Sequence, residues 1–261
     1  MALGPTPLVV QGGTTPSDMV EVPGGEFFMG CNEKVDKECS EDEKPGRRVN
    51  VGPFRIDKTE VTVAAYRRCV EAGNCSADGL RMPYWGSPMK EQPEWKDYCN
   101  WGQAGREQHP INCVDWSQAQ AYCKWAGKRL PREAEWEKAA RGTDGRKYPW
   151  GNIGYEAVGK KVANIADESA KRTYSDWTVA QGYDDGYVGT APVGKFPAGA
   201  SPYGALDMVG NVWEWIEDEI ADGRGLCGGS WDYDPQNTRA SYRSRSRPRS
   251  RLESYGFRCA R

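Results

Sequence analysis

Nine cysteines and one histidine are the residues of this 261-residue chain best suited to redox, nucleophilic or metal chemistry. The cysteines lack the paired CxxC spacing of structural zinc sites, so no zinc module is expected. The single histidine, His109, excludes a centre built from several histidines and leaves one candidate base for a catalytic triad. Because His109 lies beside Pro110 in a motif-like stretch, we expect it to be structural.

The cysteine spacing favours disulfide bonds. Three pairs are separated by short segments: Cys31/Cys39, Cys69/Cys75 and Cys99/Cys113. The alternative is that several of these side chains are buried thiols. The pairs favour an oxidising location, which means extracellular, cell-surface or periplasmic, with the cytoplasm as the alternative.

An arginine-rich run extends from Tyr242 to Arg251, with arginine at every second position from Arg243 onward. In an extended chain this alternation places the arginines on one side. The run is typical of a nucleic-acid contact, of a disordered segment, or of a fixed loop whose arginines pair with acidic neighbours. Since Gly256-Phe257-Arg258-Cys259 anchors the chain directly afterwards, we expect the fixed loop, with partners among five acids, and no nucleic-acid partner. Those acids are Glu214, Glu217, Asp218, Glu219 and Asp222.

Two tryptophan-anchored, glycine-rich segments frame this polar stretch near the C-terminus. They are Asp207–Trp215 and Cys227–Trp231, and Gly256–Arg261 closes the frame. Large aromatic side chains and paired glycines predict a buried frame, including Trp213, Trp231 and Phe257, and an exposed insert. The insert is therefore predicted to bind a protein or surface ligand of unknown identity through polar and aromatic side chains. These are Asp232, Tyr233, Asp234, Tyr242, Ser244, Ser246, Ser250, Leu252, Ser254 and Tyr255.

The elements that must position these residues follow from local patterns. Residues 19–30 and 47–57 are predicted as strands, and Val61–Ala72 as a helix ending at Gly73-Asn74. Asp115 with Gln118 predicts a capped helix reaching Trp125, and Pro131 precedes a helix over Glu133–Arg141 with Trp136 facing the core. Loops and short strands are expected after Gly142, which favours an α+β domain.

Bulk composition fits one large domain. Charged residues make up 28% and the net charge is −2, so nothing draws the whole chain to nucleic acid or membrane. No apolar run reaches the length of about 18 residues that a transmembrane helix requires. Residues 1–18 are expected to be flexible, and their start lacks the basic region of a secretory signal.

Several motifs resemble the formylglycine-generating enzyme (sulfatase-modifying factor) family, and the resemblance covers residues 19–261. They are VPGGEFFMG at 22–30, DKTEVT at 57–62, HPINCVDW at 109–116, AGKRLPREAEWE at 126–137, YPWGN at 148–152, DMVGNVWEW at 207–215, GGSW at 228–231 and GFRCA at 256–260. The resemblance implies a single α+β domain of C-type-lectin-like fold, with residues 228–261 as the ligand-display region.

Formylglycine-generating enzymes carry a cysteine pair shortly after the GGS motif, and that pair performs copper-supported oxidation. The matching positions here are Tyr233 and Thr238, and neither side chain supplies a thiolate nucleophile or a soft copper ligand. The resemblance therefore predicts that this chemistry is absent. It also implies a Cys123–Cys259 disulfide, which leaves Cys227 unpaired.

The same resemblance implies two structural Ca²⁺ sites. The first uses Asn164 and Asp185 with backbone oxygens of Ile165 and Tyr187; the second uses Glu214 with backbone oxygens of Val209, Gly210 and Val212. Carboxylate, amide and carbonyl oxygens are the ligands that calcium prefers. The alternative is that Glu214 caps a turn and Asp185 is a solvated turn residue.

The C-terminal frame also resembles the variable proteins of diversity-generating retroelements, in which adenine-directed mutagenesis rewrites exposed codons. Glu253 does not fit that pattern, because no asparagine codon yields it by such changes. The function predicted is a non-catalytic, calcium-stabilised ligand-binding protein, diversified or of ordinary surface composition. The alternative is an oxidoreductase or other enzyme of the family that uses another site, with Cys227 and His109 as first candidates.

Overall fold

The computed structural model describes residues 18–86 and 89–261. The predicted flexible segment 1–18 therefore lies outside the described residues, except for Asp18. The helices are α1 (Val63–Glu71), α2 (Trp116–Trp125), α3 (Glu133–Arg141) and α4 (Glu168–Thr173). The strands are β1 (Met19–Val22), β2 (Gly25–Met29), β3 (Arg47–Val51), β4 (Phe54–Asp57), β5 (Tyr84–Gly86), β6 (Met89–Glu91), β7 (Trp213–Ile220), β8 (Gly223–Cys227), β9 (Arg243–Ser246) and β10 (Tyr255–Gly256).

Each of the two strands predicted near the N-terminus is divided in two. Pro23-Gly24 separates β1 from β2, and Gly52-Pro53 separates β3 from β4. Proline lacks the N–H that a continuous ladder needs, so strand pairing is interrupted at these residues. The two interruptions lie opposite each other, between the pairs Val22–Phe54 and Gly25–Val51. β1 then pairs antiparallel with β4, and β2 pairs antiparallel with β3.

Local capping chemistry sets the helix boundaries. The Thr62 side chain accepts from the backbone of Ala65 and starts α1 two residues later than predicted. The predicted capping box at α2 is present, with Asp115 and Gln118 bonding each other's backbone N–H at 2.9 and 3.0 Å. Helix α3 has the predicted bounds. Helix α4 was not predicted; Asp167 caps it by accepting two backbone N–H bonds.

A four-stranded sheet in the order β10-β7-β8-β9 forms the frame of the C-terminal half, with β10 parallel to β7 and the other pairs antiparallel. One hydrophobic core lies between this sheet and helices α1 and α2, and another lies against α3. Trp213, Trp231 and Phe257 are buried, as predicted. Trp136 packs with Ala139 in the second core, which confirms the predicted orientation of α3.

Four disulfides hold the loops. All three pairs expected from spacing form: Cys31–Cys39, Cys69–Cys75 and Cys99–Cys113. The Cys123–Cys259 bond implied by the resemblance is also present and joins α2 to the C-terminal strand region. Cys227 remains as a buried free thiol. Within the described ranges, no helix combines the length and apolarity needed to cross a bilayer.

Candidate functional site

The segment after the paired glycines determines whether thiol chemistry is present. Gly229 has a positive φ of 71°, and a Cβ at this position would lie 2.6 Å from the Thr238 side chain. Glycine therefore lets Thr238 pack directly beneath the turn. Thr238 is buried; its hydroxyl donates to the Pro235 carbonyl and accepts from Tyr155, both at 2.8 Å. Tyr233 is half-buried, with its ring against Trp213 at a centroid distance of 5.0 Å. At both positions where the resemblance implies a cysteine, this chain thus has a side chain that packs into the fold.

The two alternative catalytic candidates, Cys227 and His109, are both buried. Burial raises the pKa of the Cys227 thiol well above its ordinary value, and Glu133 and Glu137 add to the effect. A buried thiol of this kind is a poor nucleophile. Burial and the charge of Arg106 lower the pKa of His109 to about 4. His109 makes a 2.9 Å hydrogen bond with the Thr190 hydroxyl, which is the structural role predicted.

The polar insert divides into an outer and an inner part. Six predicted ligand-binding residues are half-buried and reach the surface: Asp232, Tyr233, Asp234, Tyr242, Ser244 and Ser246. We call these six residues the display surface. Four others are buried, so the prediction that the whole insert is exposed is wrong: Ser250, Leu252, Ser254 and Tyr255.

The inner residues are buried because they pack against the four-stranded sheet and its core, although their polar composition predicts exposure. Tyr255 lies in β10, pairs with Trp213 of β7, and packs edge-on against Trp215 at 5.3 Å. The Ser254 carbonyl accepts from the Trp213 N–H at 2.7 Å. Leu252 belongs to the main hydrophobic core. These contacts make residues 250–255 part of the frame.

Arginines of the run form ion pairs, as the fixed-loop interpretation predicts. Arg243 pairs with Glu133 at 2.5 Å, and Arg245 pairs with Asp222 at 3.3 Å. Arg251 lies over the Tyr84 ring at 5.0 Å. The partners differ in part from those expected: among the five predicted acids, Asp222 pairs with the run, whereas Glu214 and Glu219 pair with Arg258 and Arg224.

The first predicted calcium site brings its residues together. The Asp185 carboxylate accepts backbone N–H bonds from Ile165 at 3.0 Å and from Tyr187 at 2.8 Å. Asn164 is 2% exposed, and its Oδ1 atom has no hydrogen-bond partner among the described residues. A buried amide oxygen without a partner, one residue before the N–H that the buried Asp185 carboxylate accepts, is suited to a metal ion, because such an atom otherwise loses its hydration without compensation.

The charge at this site also favours a cation. Burial and the neighbouring Asp167 carboxylate raise the pKa of Asp185 to about 8. A bound Ca²⁺ would be held by Asn164 and Asp185 and would offset the repulsion between the two carboxylates. The residues present therefore fit calcium at this position.

The residues of the second predicted site fit calcium less well. Both Glu214 oxygens accept from the Arg258 guanidinium, at 2.6 and 2.7 Å, and one also accepts from the Trp136 indole at 2.8 Å. A buried carboxylate that already has a bidentate arginine carries little charge for a metal. Glu214 acts here as the counter-ion of Arg258 rather than as a turn cap. The predicted backbone ligands are Val209, Gly210 and Val212, all buried in the same loop.

A further acidic cluster has metal-like spacing without metal-like chemistry. Asp36, Cys39 and Glu43 have ligand atoms within 4.8 Å of one another. The Cys39 sulfur is bonded to Cys31, and the Arg239 guanidinium contacts both carboxylates at 2.7 to 2.8 Å. Arginine therefore supplies the positive charge at this cluster.

Sequence reasoning missed a group of aromatic and acidic residues beside the display surface. Tyr98 stacks on Trp231 at 4.9 Å, and the carbonyls of Tyr98 and Glu253 accept from the same Asn112 amide. The buried Oε2 atom of Glu253 has no hydrogen-bond partner among the described residues. The available signal was the single acid in the stretch Arg251-Leu252-Glu253-Ser254, which follows a run of arginines. Its significance depends on tertiary contacts with residues more than a hundred positions away.

Comparison with known proteins gives the family. The model of the sulfatase-modifying factor enzyme 1-like domain matches residues 7–261. The chain is 32% identical to the inactive C-alpha-formylglycine-generating enzyme 2 of Bos taurus, over 93% of this chain and 87% of that protein. It is also 32% identical to the formylglycine-generating enzyme of Mus musculus, over 98% of this chain and 77% of that protein.

Solved structures agree with this assignment. PvdO from Pseudomonas aeruginosa superposes with a TM-score of 0.68 and 27% identity, covering 93% of both chains. Treponema denticola variable protein 1 superposes with a TM-score of 0.62 and 22% identity, covering 93% of this chain and 94% of that chain, which shows a shared fold. The α+β, C-type-lectin-like domain expected from the motifs is confirmed. The chain belongs to the sulfatase-modifying factor enzyme 1-like family.

Proposed function

We propose that this protein is a non-catalytic, ligand-binding member of its family. The observation that carries the proposal is the pair of positions at which the resemblance places catalytic cysteines. They hold Tyr233 and Thr238, and both side chains are packed against the frame. The remaining thiol, Cys227, is buried at the end of β8. A family scaffold without its reactive groups retains a rigid surface, and such surfaces are commonly used for binding.

The display surface is the proposed binding region. Tyr233 and Tyr242 both pack against the buried Trp213, at 5.0 and 5.8 Å, and each keeps part of its ring exposed. Tyrosines held in this way offer large contact areas with little conformational entropy to lose. Asp234 and the β9 serines supply adaptable hydrogen bonds around them. The residue types are also those of a diversified surface, and a neighbouring reverse-transcriptase gene with a near-copy of the final codons would establish that origin.

Calcium and location complete the proposal. We propose one structural Ca²⁺ at Asn164 and Asp185, because in the described part of the chain the buried Asn164 amide oxygen has no hydrogen-bond partner and the buried Asp185 carboxylate has no ion pair. The four disulfides support an oxidising location, extracellular, cell-surface or periplasmic.

A direct assay tests the absence of catalysis. The purified chain is incubated with a sulfatase-type cysteine peptide, copper and oxygen, and formylglycine is measured by mass spectrometry. The mouse formylglycine-generating enzyme serves as the positive control. We expect no aldehyde above a no-protein blank, because Tyr233 and Thr238 supply no thiolate. Aldehyde formed by the purified chain would overturn the proposal.

Selection from a displayed library of random peptides tests binding. Tyr233→Ala and Tyr242→Ala are each expected to reduce the binding free energy of the captured peptides by about 1–3 kcal/mol if the tyrosines are anchors. Tyr203→Ala, a half-buried tyrosine outside the display surface, is the matched control. Peptides that bind all three variants equally would show that the display surface is not the binding region.

A further inference from the structure

Five aromatic rings from three separate segments form a continuous wall beside the display surface. We call Trp95, Tyr98, Tyr174, Trp177 and Trp231 the aromatic wall. The rings of Tyr174 and Trp177 stack with their centroids 4.3 Å apart. Trp231 makes a tilted contact with Trp177 at 5.7 Å and stacks with Tyr98 at 4.9 Å. Trp231 is buried, whereas the other four rings are half-buried, so the wall leads from the surface to the frame.

Two carboxyl groups lie at the inner end of the wall. Glu253 is 6% exposed, and its Oε2 atom has no hydrogen-bond partner in the described part of the chain. Asp232 is half-buried and accepts from the Ser230 hydroxyl at 2.5 Å. Both carboxylates help to raise the pKa of Tyr174, after burial and the Tyr98 hydroxyl. Asp232 directly follows Trp231 in the chain, and the carbonyls of Glu253 and Tyr98 accept from the same Asn112 amide.

Among the described residues, Glu253 forms no ion pair, and the charges that act on it most strongly are negative. Burial raises the pKa of Glu253 to about 8, and the charged groups that add to the shift, Asp232 and Glu94, are both acidic. The titratable groups facing it are these two acids and the tyrosines Tyr174 and Tyr255. An uncompensated buried carboxyl normally loses its charge or acquires a cationic partner.

The inner end of the wall is held in place before any ligand arrives. The Asn112 amide donates to the Tyr98 carbonyl at 2.7 Å and to the Glu253 carbonyl at 2.6 Å. The Cys99–Cys113 disulfide joins the residues next to Tyr98 and Asn112. The backbones at Tyr98 and Glu253 are therefore held relative to each other, which lowers the entropic cost of binding.

We propose that the aromatic wall, with Asp232 and Glu253 behind it, binds an organic cation carrying an ammonium or methylated ammonium group. Aromatic faces attract cations through the ring quadrupole, and the acids supply the opposite charge. Asp232, which reaches the surface, contacts the ammonium, and the buried Glu253 ionises in response. This inference rests on the proposed ligand-binding function and gives the chemical class of one ligand.

Calorimetric titration of the full chain tests the inference. The probes are choline, butylammonium and 3,3-dimethylbutanol, the last being the neutral isostere of choline. We expect the cations to bind and the neutral alcohol to fail. Trp177→Ala should weaken cation binding at least tenfold, while Trp125→Ala, a half-buried tryptophan on α2, should leave it unchanged. Whether choline or butylammonium binds more tightly distinguishes a methylated from a primary ammonium ligand.

Proton release gives a second readout that a structural role alone would not produce. Near pH 7 the cations should release most of one proton per molecule bound, measured from the buffer dependence of the binding enthalpy. Glu253→Gln, which keeps the side-chain shape, should abolish this release. Failure of both cations to bind, equal binding of the neutral alcohol, or unchanged proton release in Glu253→Gln would each overturn the inference. Library peptides that still require Tyr233 while no cation binds would refute the inference and leave the proposed function standing.

Discussion

Glu253 is expected to make the free energy of unfolding depend on pH, and the substitution Glu253→Gln can measure this contribution. Its pKa in the folded protein is about 8, compared with an ordinary value of 4.5, because the side chain is buried beside two acids. Below the ordinary value both the folded and unfolded states hold the proton. As pH rises through that value the unfolded state loses its proton first, so Glu253 lowers the stability increasingly until the folded state also ionises near pH 8.

The magnitude follows from the proton affinities. A tenfold difference in proton affinity corresponds to about 1.4 kcal/mol, so Glu253 lowers the free energy of unfolding by about 3 kcal/mol at pH 7 and by nearly 5 kcal/mol above pH 8. Glu253→Gln is neutral throughout and removes this contribution. The variant should therefore match the natural protein near pH 4.5 and exceed it by about 3 kcal/mol at pH 7.

Urea unfolding at several pH values, with the disulfides kept oxidised, measures the difference. Other buried acids, including Asp185, also make stability depend on pH, so the decisive quantity is the difference between the two proteins. Glu156→Gln, at an exposed position, is the matched control and should give a constant difference. Parallel stability curves for Glu253→Gln and the natural protein would refute the argument that Glu253 is buried without a cation.

Two further outcomes test the scaffold. If calcium occupies its proposed site, chelation should lower the melting temperature by roughly 2–4 °C for each kcal/mol of binding free energy lost. Asp185→Asn should remove this effect, and Asp184→Asn, at an exposed position, should retain it. Identical melting curves with and without chelator would exclude structural calcium. Trp231→Ala should cost about 3–5 kcal/mol of folding stability, because the Trp231 ring is 1% exposed. Tyr242 is half-buried, so Tyr242→Ala should cost about 1 kcal/mol. Equal losses in the two variants would mean that Tyr242 belongs to the core.

Features governed by neighbouring residues could be predicted from the sequence. The capping pair Asp115 and Gln118 defined the start of α2, and the pairs of cysteines close in sequence formed disulfides. Tyr233 and Thr238 could also be identified from the sequence, because their positions depend on a fixed distance from one motif; that they stand in place of catalytic thiols remains a prediction. Such signals are local, so tertiary packing did not alter them.

The burial of the inner insert and the aromatic wall could not be predicted. Tyr255 and Ser254 are buried because two residues of β10 pair in parallel with β7, a contact that joins positions about forty apart. Glu253 is unusual because it is buried with no hydrogen-bond partner for its Oε2 atom among the described residues, and sequence alone does not reveal that burial. A polar composition predicts exposure when the partners of the polar groups are unknown, and here the frame itself supplies them.

Hydrogen bonds connect the proposed calcium site to the aromatic wall through the frame. The Asn164 carbonyl accepts from the Asn211 N–H at 2.7 Å, and the Asn211 carbonyl accepts from the Trp231 N–H at 3.1 Å. Gly210 permits this approach, because a Cβ there would lie 2.2 Å from the Asn164 carbonyl oxygen. The loop that would hold the ion thus fixes the backbone of the central ring of the wall. In such a scaffold the residues of the display surface can differ from those of related proteins without a change of fold, because the buried residues beneath them determine the backbone geometry.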